Sequence, residues 1–215
     1  MKIRLVALGV AAAAAMLLTG CDGADGTAVR ASGGDSTAAT TTTATTATDS
    51  GECATTADAY LTATQKDGEP TFSVPAVDGW DRDTKFENRS ARLAVAAKSL
   101  TVDHFAPNYV VTVEKAPAVG RAEFDRQLQT LRTIATDGSV HQHAESTTCG
   151  FPSLIVDYRL QVKPRIDSHA TVLIVSVPGE PSPTTSTLTI QTADPDNAEY
   201  SAAKKSIIDG FRVEK

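Results

Sequence analysis

Apolar residues along the chain fall into three regimes. From Leu5 to Leu18 they run almost without interruption behind the basic pair Lys2 and Arg4. From Asp22 to Glu52 they nearly vanish: Val29 is the one large apolar side chain in a stretch of Thr, Ala, Gly, Ser and Asp. From Cys53 onward they return with the periods of secondary structure, which assigns the folded mass to residues 53–215.

Within that third regime the spacing predicts a short helix around Thr56–Thr64. A strand at Phe72–Val74 follows, ending at Pro75 and a turn at Asp78-Gly79-Trp80. Ala91–Ala97 and Tyr109–Val113, rich in branched or aromatic residues, read as strands. The period then lengthens. Phe124, Leu128, Leu131 and Ala135 recur at helical spacing, Ile134 widens the stripe, and Asp137-Gly138 supplies the stop. Four further strands are expected at Val140–Ser146, Ser153–Val162, His169–Val177 and Thr185–Thr192. In the second, Leu154, Val156, Tyr158, Leu160 and Val162 share one face, with Ile155 and Asp157 on the other. A last helix is expected after Asp194-Pro195-Asp196-Asn197, with Asp194 as cap and Pro195 at its first position. Tyr200, Ala203, Ile207 and Phe211 form its buried stripe, and Ile208 lies beside it. These elements define an α+β domain: one antiparallel β-sheet flanked by helices.

The first two regimes assign a location. A basic start, a short apolar run and Leu17-Leu18-Thr19-Gly20-Cys21 are the parts of a bacterial lipoprotein signal peptide. The apolar run is too short to span a bilayer comfortably. Residues 1–20 are therefore expected to be removed and Cys21 to carry lipid, on the extracytoplasmic face of the cell membrane. With each buried methylene worth about 0.8 kcal/mol, two or three acyl chains make a stable membrane anchor. Residues 21–52 then form a flexible tether with a reach of roughly 30 Å, too poor in apolar groups to offset the entropy of ordering. The Thr run is also a candidate for O-linked sugars. With Cys21 lipidated, Cys53 and Cys149 remain, and in an exported compartment that pair is expected as a disulfide.

Charge removes one class of partner. Loss of Lys2 and Arg4 with the signal takes the formal charge from −6 to −8. An acidic chain without a basic stripe lacks the cations that phosphate backbones require, so nucleic acid is not an expected partner.

In this order, the lipobox, the Thr/Ala tether, Phe72-Ser-Val-Pro75 leading to Gly79-Trp80, the Phe124–Ile134 helix between strands, Gly150 before the Tyr158 strand and the capped C-terminal helix resemble the actinobacterial LpqN/LpqT-type lipoproteins. The resemblance implies a PsbP-like α/β/α sandwich with no established catalytic residues. It also implies a cell-envelope role, linked in some members to mycolic-acid glycolipid transport or to binding other proteins. The Pro-rich insertion Pro178–Pro183 and the Cys53/Cys149 pair depart from the family, and no site residue is carried over.

The residues themselves offer little chemistry. Gly150-Phe-Pro-Ser153 lacks the second glycine of a nucleophile elbow, which leaves Ser153 as the start of a strand. No H-E-x-x-H, Walker loop or dinucleotide fingerprint occurs. Asp194-x-Asp196 begins like a calcium loop, but Ala198 and Glu199 stand where a ligand and a glycine are needed. The one metal-like group is His141-Gln142-His143-Ala144-Glu145, whose alternate members share a strand face roughly 6.8 Å apart. His141 and His143 could grip one ion, Glu145 in the same row could not complete it, and His104 or His169 would have to come from elsewhere. A solvated polar face, with no metal and no cofactor, is the expectation. Trp80 and Tyr109 are expected to seal the core in preference to walling a ligand groove. Asn88-Arg89-Ser90 matches a glycosylation sequon of little weight in a bacterial lipoprotein.

The sequence thus points to a non-enzymatic, lipid-anchored envelope protein that binds or shuttles envelope lipids or assists their transport machinery. The alternative is a protein-interaction module. A hydrolase is disfavoured for want of a triad. An acyl-chain carrier needs an apolar cavity of several hundred cubic ångströms, whereas an interaction module can be solid.

Overall fold

The computed structural model describes Cys53 and residues 55–215, apart from positions 67, 164 and 165. The signal peptide, Cys21 and the tether lie outside these residues.

The elements run β1 (Tyr60–Thr62), β2 (Thr71–Pro75), β3 (Asp81–Arg82), β4 (Ala91–Ala96), β5 (Asn108–Lys115), α1 (Arg121–Ile134), β6 (His141–Gln142), β7 (Ser146–Thr148), β8 (Phe151–Lys163), β9 (Ile166–Val177), β10 (Thr184–Thr192), α2 (Ala198–Asp209) and β11 (Arg212–Glu214). They form two antiparallel sheets instead of one. The larger has the order β3-β4-β5-β10-β9-β8-β6, with β7 also on β8, and the smaller is β1-β2-β11.

Strand alternation explains the layering. Even-numbered residues of β8 and β9 (Leu154, Val156, Tyr158, Ala170, Val172, Ile174) meet Phe124 and Leu128 of α1 on one face. The opposite face carries Leu93, Val95, Tyr109, Val111, Leu173, Val175, Leu188 and Ile190. These pack on Tyr200, Ala203 and Ile207 of α2 and on Phe72, Val74 and Val213 of the small sheet. Burying one such side chain contributes about 1.5–3 kcal/mol, so the large sheet is stabilised from both sides. The close of α2 is tight: a Cβ on Gly210 would stand 2.3 Å from Pro75 Cγ, so only glycine fits there.

Several local expectations gave way to tertiary pairing. Thr56–Thr64 is not a helix, because Tyr60–Thr62 pairs with Ser73–Pro75 of β2 and brings Leu61 and Ala63 to the core. Sheet pairing and burial override a weak helical preference. The strand expected at Val140–Ser146 is two short pieces, β6 and β7, both paired with β8. Asp194 does not cap α2. Asn197 does, its Oδ1 accepting from Tyr200 N at 2.9 Å. Ile134 stays 42% exposed and Val162 37% exposed; both therefore remain largely outside the core their stripes were expected to join. Finally, β7 and β8 are joined by Cys149 (φ 52°) and Gly150 (φ 78°). Two successive positive φ values are what a tight I′-type hairpin turn requires.

Candidate functional site

Three of the residues singled out for chemistry are structural. Trp80 and Tyr109 are 5% and 1% exposed. Trp80 stacks on Tyr109 at 5.8 Å and on Tyr200 at 6.4 Å, inside the core. Ser153 is fully buried, with its Oγ 3.0 Å from Ser146 Oγ and, among the described residues, no base hydrogen-bonded to it.

The cysteines meet. Cys53 and Cys149 are joined with their Cα atoms 4.6 Å apart, and the Val213 N–H points at both sulfurs, at 3.4 and 3.3 Å. The join ties the segment before β1 to the β7–β8 turn and borders a recess of about 340 Å³ floored by Ile155, Leu173, Ile208 and Phe211.

The histidines take a different course from a simple row. His141 lies directly opposite Asp157 of β8, and its ring meets that of His143 edge-on at 5.3 Å. His143 Nε2 is 2.7 Å from Asp157 Oδ2, while Thr171 donates to Asp157 Oδ1 at 2.5 Å. Glu145 instead holds Arg121 Nη1 at 2.7 Å. His104 sits in a separate turn closed by the Val102–Phe105 bridge. Among the described residues, no group of three His, Cys, Asp or Glu side chains is arranged to hold a metal ion.

Asp157 belongs to a wider cleft. Because β8 and β9 pair with Asp157 opposite Thr171 and Arg159 opposite His169, these four side chains share the sheet face on which α2 lies. Tyr200 and Lys204, one helical turn apart, close the other wall. Together they line a cleft of about 330 Å³ that is open to solvent and mixed in polarity. Burial, the largest influence on Asp157, favours its neutral form, but the Thr171 hydroxyl, then His143 and Lys204, outweigh it and hold the carboxyl below its ordinary range. Burial, helped by Asp157, pushes the Tyr200 hydroxyl upward.

The sign of that shift gives a prediction. A carboxyl depressed in the folded state stabilises the protein above its unfolded value, near pH 3.9, and loses that contribution as pH falls through the folded value. The thermal-stability advantage of the wild type over Asp157→Asn should therefore be present at pH 5 and shrink toward pH 2. An advantage that stays constant down to pH 2 would show that the anion is not favoured by folding.

The alternation in β8 placed Asp157 apart from the buried row, but nothing local announces Arg159, His169 and Lys204 as its neighbours. Their meeting depends on the register of a hairpin and on where α2 lands.

No family model matches the chain, and no curated protein matches it in sequence. Solved structures do. LpqN of Mycobacterium tuberculosis, a protein involved in cell envelope biogenesis, superposes with a TM-score of 0.55 at 14% identity, over 73% of this chain and 91% of that one. Cyanobacterial PsbP from Synechocystis gives a TM-score of 0.47 at 14% identity, over 72% and 92%. The chain has the fold of LpqN, an α+β sandwich of antiparallel sheets and helices.

Proposed function

We propose that this protein is a non-enzymatic binding module of the cell envelope, lipid-anchored through Cys21 and holding its domain above the membrane on the 22–52 tether. The reading is supported by the signal-peptide pattern ending at Cys21 and by the fold it has in common with an envelope-biogenesis protein. Its ligands are envelope lipids or components of their transport machinery, engaged by their polar parts. The observation that carries this is the placement of aromatics: Phe72 stacks on Phe211 at 6.1 Å, and Trp80 on Tyr109 and Tyr200. The side chains best suited to wall an acyl tunnel are thus spent on one another, while the α2 cleft offers charged and hydroxyl groups to solvent. The same open cleft of mixed polarity also suits docking of a protein surface, the alternative reading.

Native mass spectrometry of protein purified from its own membrane separates the two. A co-purifying lipid supports the lipid reading, a stoichiometric protein supports the interaction module, and neither would count against both. For the anchor, Cys21→Ala should move the protein from the membrane fraction to the soluble fraction with an unchanged melting temperature. Membrane partitioning equal to wild type would refute the anchor.

A further inference from the structure

Arg159 and Lys204 line the α2 cleft from two different elements, a strand and a helix. Arg82, Arg92, Arg121, Arg126 and Arg212 each lie within ion-pair distance of a carboxylate, whereas Arg89 and Arg132 stand singly on exposed surface away from the cleft. Among the described residues, Arg159 and Lys204 have no carboxylate partner. Lys204 Nζ instead stands 5.9 Å over the Tyr200 ring. Among the described residues, Asp157 is the one carboxylate lining the cleft, and both its oxygens are already engaged, one by Thr171 and the other by His143. His169 adds a further donor directly across from Arg159. Two cations without carboxylate partners thus converge on one recess of a chain whose net charge is −6.

A guanidinium fork beside an ammonium is the donor set that recognises oxyanions: the fork bonds two oxygens at once and the ammonium supplies a point charge. A recess with low-dielectric walls focuses that field on an incoming anion. The volume, about 330 Å³, lies at the small end of ligand sites and suits a phosphate group with a short polar substituent. We propose that the α2 cleft is a phosphate-binding subsite, with Arg159 and Lys204 as the principal contacts and His169 as a supporting donor. Asp157, held back by Thr171 and His143, makes no contact with the phosphate. This assignment deepens the binding-module reading and rests on it. Release of Cys21→Ala and native mass spectrometry test that reading without involving Arg159 or Lys204, so each can fail alone.

Inorganic phosphate titrated into the full chain at constant ionic strength should shift amide resonances saturably in residues 157–171 and 200–204. Constant ionic strength matters because simple screening would otherwise mimic binding. The Arg159→Ala/Lys204→Ala variant should bind at least about tenfold more weakly, as loss of charge-assisted contacts implies, whereas Arg132→Ala, on exposed α1 surface, should bind like wild type. If the double variant does not fold, Lys204→Gln alone carries the comparison. The source of the phosphate follows from flotation of the full-length Cys21→Ala chain with phosphatidylcholine vesicles, with and without phosphatidylglycerol. Flotation that needs phosphatidylglycerol and is lost in the double variant supports a lipid headgroup; phosphate binding without flotation supports a soluble phosphate. No saturable shift, equal shifts with chloride, or undiminished binding by the folded double variant would overturn the proposal.

Discussion

Glu123→Ala should destabilise the domain by about 2–4 kcal/mol, through the loss of charge-assisted hydrogen bonds and a stranded buried donor. Glu123, in the first turn of α1, is fully buried. Its carboxylate accepts from Arg126 Nη2 at 2.5 Å and Nε at 2.8 Å, from Gln127 Nε2 at 2.9 Å and from Thr185 Oγ1 at 3.0 Å. Truncation strands the buried Thr185 hydroxyl, at a cost of about 1–3 kcal/mol for an unpaired donor, and leaves Gln127 Nε2 with Glu114 as its one remaining acceptor. The melting temperature should fall by roughly 10 °C for a domain of this size. Glu123→Gln, which keeps the shape and an acceptor for Thr185, should cost clearly less. Exposed pairs offer the contrast: Arg121–Asp125 and Lys205–Asp209 on helix surfaces belong to a class worth about 0–1 kcal/mol. A loss below about 1 kcal/mol for Glu123→Ala, measured in denaturant, would place Glu123 in that class and refute its structural role.

Peptide mass mapping of freshly exported protein should find Cys53 linked to Cys149, and reduction should lower stability on the order of 4–5 kcal/mol. The sequence separation is 96 residues, and closing a loop of that length removes about this much unfolded-chain entropy in the polymer account. The linkage gathers three otherwise separate pieces: the segment before β1, the β7–β8 turn and, through Val213, the last strand β11. Cys53→Ala/Cys149→Ala should melt at the same reduced temperature as the reduced wild type. Two free thiols in the exported protein, or a melting temperature indifferent to reductant, would be incompatible with this role.

The α2 cleft and the Glu123 network show why reading by period reaches some residues and misses others. Phe124 and Leu128 announce their burial by spacing, and both are core. Glu123 and Gln127 sit one position earlier on the same turns and are just as enclosed, since the sheet beneath them presents Thr185 and Glu114 instead of apolar residues. A carboxylate in that helical position looks like a solvated one until the opposing strand is known. His141 and His143 were legible as a pair on one face. That Asp157 would hold His143 while Glu145 left for Arg121 was decided by the break between β6 and β7.

The chain by itself determined what depends on neighbours along it. These are the apolar runs of the long strands β8, β9 and β10, the core stripe of α1, the buried face of α2, and the signal-like start ending at Cys21. Each rests on the period of a strand or helix, or on a contiguous motif. Tertiary structure alone decided the rest. It made a strand of Tyr60–Thr62, because β2 was there to pair with it. It split the expected single sheet in two, through the three-residue strand β11 that no period could reveal. It also brought Arg159, His169 and Lys204 around Asp157, through a hairpin register and a helix landing. The physical reason is common to all three: pairing and packing energies between distant segments exceed the local preferences of short ones, and distant segments leave no trace in each other's spacing.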